Sequence, residues 1–573
     1  MSDIESRRQK LRERFPAWEF STIASLMDCA ASEFGDRPLV LGVNFTMTYG
    51  QAVARSRDIA KGMLACGIKK GDHVALVMAN FPEFIPIKAA IARIGAVAVP
   101  INYMLRENEL KYVLLQSDSK MLICMDQFSE RNYSDDVARI LKNFRQGYDS
   151  KSHAELKEVF LYETGNERCK SDFDYIDKLI ACGIEVTDAE LEKVESQTSG
   201  EDLSDIVYTS GTTGKPKGVM ISHQMVLRAA YASALVRAFE DGRRIQFALP
   251  MYHVFGYVEC WIACMYVGGA IIPHVSFDPL QMIETAEACG TTEMVCVPLM
   301  TEKILEVLTN RRFNAPKFIA MFNSGGVCRP CIWDDIQELM GAKEMLTAYG
   351  MSETTASTTC TLPEGPREYL TSSNGCLKMA GIAGTEAAGE YLAIYKTIDP
   401  ETGKDLPPGV AGELLVKGPI VTKGYYRKPM ENKKAINIDG WLHTGDIGII
   451  NSDGYLSLTG RLKETYRCGG EMVMPKEIEA ILDDYPGVKQ VFAVGLPDTK
   501  MGEVGCLCVV TETDVTPDKN GIIEFCKREL ARFKVPKYVV FMEEKDIPMT
   551  ATGRPQKFKL AEIAEQILSA EAG

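Results

Sequence analysis

Eleven consecutive residues, Tyr208 to Gly218 (YTSGTTGKPKG), combine three glycines, four Ser/Thr hydroxyls and two lysines. Glycines let backbone N–H groups approach phosphate oxygens closely, while hydroxyls and lysines add donors and positive charge. The Walker pattern G-x-x-x-x-G-K-[ST] does not fit, because Pro216 follows Gly214-Lys215. The segment reads as a phosphate-binding loop of another kind, with an ordinary Gly/Ser/Thr turn as the plain alternative. A zinc site is not indicated, since the six histidines show no H-E-x-x-H or related ligand spacing. His253, in P-x-x-H-x-x-G, either faces a pocket or is a satisfied core residue. Glu259 is the only acid between Arg244 and Asp278. Its plain reading is a helix residue reaching solvent; the rival is a buried pocket group. The single C-x-x-C, Cys328 to Cys331, is expected to be coincidence, because 17 cysteines in 573 residues supply about half of one such pair by chance.

These residues need a frame, and the chain supplies a strand–helix rhythm. The phosphate-type loop is entered from the apolar run DIVY (205–208). HVALVMAN (73–80) and AVAVPI (96–101) read as buried strands on either side of a helix at 81–95, and the pattern recurs at MVCVPL (294–299) and FIAMFNSGG (318–326). This repetition predicts an α/β fold with mainly parallel sheets. Residues from about 129 to 200 turn polar and read as surface elaboration. Beyond Gly460, two helical and two strand patterns predict a small α+β domain, giving domains at 1–460 and 461–573. Cys260 to Phe277 runs eighteen residues without Asp, Glu, Lys or Arg. Gly268-Gly269 and Pro273 break it into a short helix and a short strand, not a membrane span.

Composition narrows the function classes. A hydrophobic fraction of 46% with 25% charged residues is that of an ordinary globular protein. Sixty-four basic against 78 acidic residues leave a net charge of −14, unsuited to tracking nucleic acid or anionic membrane surfaces. The charged start MSDIESRRQKLRERF has no apolar signal core. The scattered cysteines read as mostly buried thiols in a reducing, cytoplasmic compartment.

The segment TSGTTGKPKG resembles the phosphate loop of the adenylate-forming superfamily, which includes acyl-CoA synthetases, luciferases and peptide-synthetase adenylation domains. The resemblance continues in order through PMYHVFG (250–256), SGG (324–326), AYGMSETT (348–355) and GELLVKGPIVTKGYYRKP (412–429). It then runs through GWLHTGDIG (440–448), GRLKETYRCGGEMVMPKEIE (460–479) and TATGRPQKFKL (550–560). It implies a large N-terminal domain followed by a small mobile one, with a hinge at Lys463.

The resemblance also implies roles for single residues. Thr209, Ser210, Gly211, Thr212, Thr213, Gly214 and Lys217 would hold the β- and γ-phosphates of ATP. Glu353 resembles the magnesium ligand, and Ser352 keeps the hydroxyl of a phosphate-contacting residue. Tyr349 resembles the aromatic that stacks on adenine, with Ser324, Gly325 and Gly326 on the other side and Ala348 and Gly350 beside it. Asp446 and Arg461 resemble the ribose ligands. Gly469, Gly470 and Glu471 would line the path of the coenzyme A thiol. His253 corresponds to a gate beside the substrate carboxylate, and Val254, Phe255, Gly325, Ala348 and Met351 to pocket walls. The family's adenylation lysine is replaced by Arg554, with Lys557 nearby and Glu464 beside the hinge where Asp is usual. A guanidinium keeps the charge but forks differently from an ammonium. The implied activity is an ATP-dependent carboxylic acid–CoA ligase acting on a fatty or related organic acid, with ATP, Mg2+ and coenzyme A. Tyr252-His253-Val254-Phe255 offers no acid to hold an amino group, which disfavours amino-acid substrates. The rivals are transfer to a carrier-protein thiol and a catalytically impaired acyl-nucleotide-binding paralogue. The oligomeric state stays open, a homodimer included.

Overall fold

A computed structural model describes residues 3–145, 156–165, 167–209, 215–326, 329–385, 389–469, 471–483, 485–512, 517–550 and 555–572. Two seven-stranded sheets, both mainly parallel, form its larger part. One carries, in order, strands Glu344–Leu346, Ala320–Asn323, Glu293–Cys296, Arg244–Phe247, Ala270–Pro273, Pro38–Gly42 and Phe45–Thr48. The other carries Lys217–Ser222, Leu203–Thr209, Val97–Ile101, His73–Val77, Ser119–Met125, Glu158–Tyr162 and Asp174–Tyr175. The mainly parallel α/β architecture read from the strand–helix rhythm is what the structure shows. Parallel strands bury both faces and so read as continuous apolar runs; His73–Val77 and Val97–Ile101 are buried at every position.

Helix Phe84–Arg93 lies between these two strands in sequence, with all ten residues buried. Its two cations survive burial because each is paired. Lys88 meets Asp205 on the strand that leads into the phosphate-type loop, and Arg93 meets Asp28 and Glu195. Breaking such a pair by removing one partner costs about 3–5 kcal/mol, so Lys88 fixes the strand on which the loop depends.

The segment 129–200 departs from its reading as surface elaboration. Strand Glu158–Tyr162 pairs in parallel with Ser119–Met125, Leu161 is fully buried, and Val137 and Ile140 pack in the same core. The apolar run of this strand, VFLY, is short and flanked by Glu158 and Glu163, so it stands out little from its charged surroundings. Cys260–Phe277 does split into a helical turn series over Tyr257–Met265 and the strand Ala270–Pro273. Among the described residues no helix is long and apolar enough to cross a membrane.

A four-stranded antiparallel sheet, Ile394–Ile398, Gly412–Lys417, Leu442–Ile450 and Leu456–Arg461, follows the parallel sheets. After Arg461 the chain enters a separate sheet built from Tyr466–Cys468, Glu471–Val473, Val488–Asp498, Gly502–Thr511 and Tyr538–Met542. Helices Pro475–Leu482, Lys519–Glu529 and Lys557–Ala572 accompany it, around their own apolar clusters. Ten of the sixteen described cysteines are buried and none is in a disulfide.

Candidate active site

The phosphate-type loop joins strands Leu203–Thr209 and Lys217–Ser222, which pair antiparallel with Thr209 opposite Lys217. Ser210, Gly211, Thr212, Thr213 and Gly214 lie outside the described residues, as do Gly470, Cys328 and Arg554. Gly218 closes the strand pair tightly: a Cβ there would fall 2.5 Å from Ile206 Cγ2. Lys217 Nζ reaches Glu431 Oε2 at 2.7 Å and lies 5.0 Å from the Tyr425 ring centroid. The Tyr425 hydroxyl donates to Glu353 Oε1 at 2.9 Å. Lysine and glutamate, 136 positions apart in sequence, thus share one tyrosine. Tyr425, within GYYRKP, and Glu431 carry no motif or spacing that marks them for these contacts.

Glu353 sits on a short turn, Ser352–Thr354, between strands Ala348–Met351 and Ala356–Cys360. The return into the second strand is strained. Thr355 and Ala356 adopt φ of 53° and 81°, a left-handed region that costs an L-residue roughly 1–2 kcal/mol each. Gly350 is obligatory, since a Cβ would lie 2.0 Å from the Ala356 carbonyl oxygen. Ser352 and Glu353 are both buried. Burial pushes the Glu353 carboxyl pKa up, and the Tyr425 hydrogen bond opposes that shift. No described cation forms an ion pair with it.

Asp446 organises the next cluster. The Tyr349 hydroxyl donates to its Oδ2 at 2.6 Å, and Arg461 Nε lies 3.0 Å from its Oδ1. Asp446 and Arg461 face each other across adjacent strands, so sheet register sets the contact. The Asp446 charge raises the Arg461 pKa, and burial, reinforced by Asp446, raises that of Tyr349.

Strand Ala320–Asn323 ends at Ser324, whose hydroxyl donates to the Ala348 carbonyl at 2.7 Å. Gly325 then turns at φ 92°. A Cβ there would stand 3.3 Å from Val297 Cγ1 and 3.9 Å from Phe255 Cε1. Phe255 packs edge-on against Phe322 at 5.5 Å. His253 caps the short helix that carries Phe255, its Nδ1 accepting the Phe255 N–H at 3.3 Å. Val254 is buried and Met351 half-buried. The pocket residues named from the sequence, His253, Val254, Phe255 and Gly325, therefore share one local structure.

Glu259 corrects its plain reading. It is fully buried, held by Lys378 at 3.0 and 3.1 Å, and does not reach solvent. Between the strands ending at Arg461 and beginning at Tyr466, burial and neighbouring Lys217 both lower the Lys463 pKa. Lys557 Nζ is 2.5 Å from Glu479 and 3.9 Å from Glu464, so this lysine is engaged within the small domain. Gly469, at φ 63°, and Glu471 lie on that domain's first hairpin. Cys331 is exposed, and no cluster of three or more His, Cys, Asp or Glu able to hold a metal occurs among the described residues.

The family model described as AMP-binding enzyme matches residues 27–426, and that of the AMP-binding enzyme C-terminal domain matches residues 477–554. YngI of Bacillus subtilis (strain 168) is 35% identical over 552 residues, covering 95% of this chain and 97% of the relative. A mitochondrial medium-chain acyl-CoA ligase of Danio rerio is 27% identical over 557 residues, covering 96% and 89%. Among solved structures, ATP-bound MatB from Rhodopseudomonas palustris superposes with a TM-score of 0.79 at 26% identity, covering 95% of this chain and 99% of that one. The chain belongs to the AMP-binding enzyme family, the adenylate-forming acyl-CoA synthetases, and is an ATP-dependent acid–CoA ligase that works through an acyl-adenylate.

Proposed function

We propose that the site residues divide between the two half-reactions as follows, for a fatty or related organic acid. In the first, a carboxylate oxygen attacks the α-phosphorus of ATP and pyrophosphate leaves. Thr209, Ser210, Gly211, Thr212, Thr213, Gly214 and Lys217 hold the departing phosphates, and Ser352 adds a hydroxyl. Asp446 and Arg461 hold the ribose; Tyr349, Gly350, Ala348, Ser324, Gly325 and Gly326 form the adenine slot. His253 gates the carboxylate, and Val254, Phe255, Gly325 and Met351 form the apolar wall. Arg554 bridges carboxylate and α-phosphate as negative charge builds between them. In the second half-reaction the coenzyme A sulfur attacks the acyl carbonyl carbon and AMP leaves, with Gly469, Gly470 and Glu471 lining the thiol's path. The acid class rests on the apolar walls and on the medium-chain name of one relative.

The observation that carries this reading is the convergence on one side of Glu353, Tyr425 and Lys217, with Tyr349, Asp446 and Arg461 beside them. A buried carboxylate with a hydroxyl partner and no ion-paired cation fits a magnesium ligand. Glu353 would hold Mg2+ together with phosphate oxygens, and the ion would neutralise phosphate charge. Glu353→Gln keeps the shape and removes the charge. It should cut acyl-adenylate formation at least about tenfold, roughly 1.4 kcal/mol of barrier. Pyrophosphate release at the native rate would remove Glu353 from the site.

We further propose domains at 1–460 and 461–573 with Lys463 as the hinge. The antiparallel sheet ends at Arg461 and the next begins at Tyr466, leaving a four-residue connection. Proline at 463 would fix φ near −65° and hold the adenylation arrangement. Lys463→Pro should spare acyl-adenylate formation and depress thioester formation at least about tenfold. An equal loss in both half-reactions would place the hinge elsewhere.

A further inference from the structure

A chain of buried charges runs beneath the sheet that ends at the adenine slot. Arg7 pairs with Glu344, which lies 3.8 Å from Arg243. Arg243 and Arg237 both hold Glu293, with Arg243 Nε and Arg237 Nε donating at 2.8 and 3.0 Å. Arg237 Nη1 then donates to the Glu259 carbonyl at 2.7 Å, and Lys378 takes the Glu259 carboxylate. All seven side chains are buried. At its inner end Glu259 does more than balance charge. Its Oε1 accepts the Ser357 backbone N–H at 3.0 Å and also the Ser357 hydroxyl.

Ser357 is the residue directly after the strained pair Thr355–Ala356, and it faces Gly350 where the strand register shifts. Glu259 itself lies four residues, about one helical turn, beyond Phe255, within a π-helical stretch, Tyr257–Ile262. Such stretches occur mostly as single turns inside α-helices, frequently at functional sites. One carboxylate therefore joins the helix of the acid pocket to the strand that returns from Glu353. A left-handed pair of non-glycine residues persists only where the surroundings over-determine it, and the Ser357 anchor fixes its exit.

We propose that Glu259 is a positioning residue: through Ser357 it holds the Ser352–Ala356 turn, and with it Glu353, in place relative to the acid pocket. The inference rests on the proposed metal role of Glu353. The ion pairs with Lys378 and, at 3.7 Å, with Arg237, together with the Ser233 hydroxyl, keep Glu259 ionised and oriented, but the hydrogen bonds to Ser357 carry the effect. Two double variants separate these contributions. Glu259→Met with Lys378→Met removes the pair and the acceptor together, whereas Glu259→Gln with Lys378→Met removes the pair and keeps an acceptor oxygen for Ser357. Replacing both members of a buried pair by apolar groups is tolerated far better than stranding one.

The readout is Mn2+ binding in the presence of a non-hydrolysable ATP analogue, followed by the electron paramagnetic resonance signal of free Mn2+. Thermal midpoints and acid KM are measured on the same samples. The Met/Met variant should bind Mn2+ at least about tenfold more weakly, and the Gln/Met variant within about twofold of native. Ser357→Ala, a smaller change that serves if the Met/Met chain does not fold, should weaken Mn2+ about threefold or more. Native Mn2+ affinity in the Met/Met variant and in Ser357→Ala overturns the proposal. So does an equal loss in both double variants that tracks a fall in thermal midpoint. Glu353→Gln is the parallel control. If it loses Mn2+ while the Met/Met variant does not, the positioning role alone fails; if Glu353→Gln itself binds normally, the metal reading and this inference fall together.

Discussion

Arg554→Ala is expected to abolish acyl-adenylate formation from acid and ATP while leaving thioester formation from supplied acyl-adenylate near the native rate. The argument starts from charge. In the first half-reaction a carboxylate approaches a phosphate, and a cation between them is worth most as the bond forms. Removing one such preorganised group typically costs about a hundredfold or more. The second half-reaction has no carboxylate–phosphate contact to bridge, and the hinge proposed at Lys463 would carry the Arg554 segment away before it. Arg554→Lys should be at least as active as the native chain, because ammonium is the group that the family pattern places at this position. The alternative cation, Lys557, is held by Glu479 in the small domain, so Lys557→Ala should leave adenylation largely intact while lowering the thermal midpoint. The two half-reactions are to be followed separately, by pyrophosphate release and by thioester absorbance. An adenylation defect in Lys557→Ala but not in Arg554→Ala would reverse the two assignments. A chain that makes no acyl-adenylate from any acid yet consumes supplied acyl-adenylate would mark an enzyme specialised for the second step.

What the sequence disclosed follows from how local each signal is. The strands at 73–77 and 97–101 and the short unit at 257–273 are set by consecutive residues, so apolar runs and Gly/Pro breaks located them. The motifs are local too: SGG, YGMSE and HTGD are short runs of consecutive residues that single out Gly325, Glu353 and Asp446. Tyr425 was not legible as a partner, because its hydroxyl meets Glu353 across 72 positions of sequence, and a tyrosine in GYYRKP has no spacing that announces it. Glu259 is ambiguous from sequence for a related reason. A lone acid in an apolar stretch implies either solvent or a buried cation, and the cation that decides, Lys378, lies 119 positions away. Strand Glu158–Tyr162 shows the same limit for the fold. Its apolar core is too short to stand out from charged flanks, and only pairing with Ser119–Met125 makes it part of the sheet.

Asp446→Asn should weaken nucleotide binding and lower kcat/KM for ATP at least about a hundredfold, roughly 2.7 kcal/mol. The carboxylate is nearly inaccessible, at 4% exposure, and takes the Tyr349 hydroxyl on one oxygen and Arg461 on the other. An anionic acceptor also suits the two ribose hydroxyls, since hydrogen bonds to charged groups contribute about 1.5–3 kcal/mol each. Asparagine keeps the volume but turns one acceptor into a donor. It faces either the Tyr349 hydroxyl or the Arg461 guanidinium with an N–H group, and it leaves Arg461, whose pKa Asp446 raises, without its counter-charge. The pattern across assays discriminates as much as the size. AMP is bound in both half-reactions, so acyl-adenylate formation and thioester formation should both fall, unlike the one-sided loss in Arg554→Ala. The acid KM should change little, because the Asp446 carboxylate is held by Tyr349 and Arg461 and not by His253, Val254 or Phe255. Calorimetric titration with ATP, run beside a thermal midpoint, separates lost affinity from lost stability. Native ATP affinity in Asp446→Asn would detach the residue from the nucleotide, and a defect confined to the first half-reaction would detach it from the AMP moiety that both steps share.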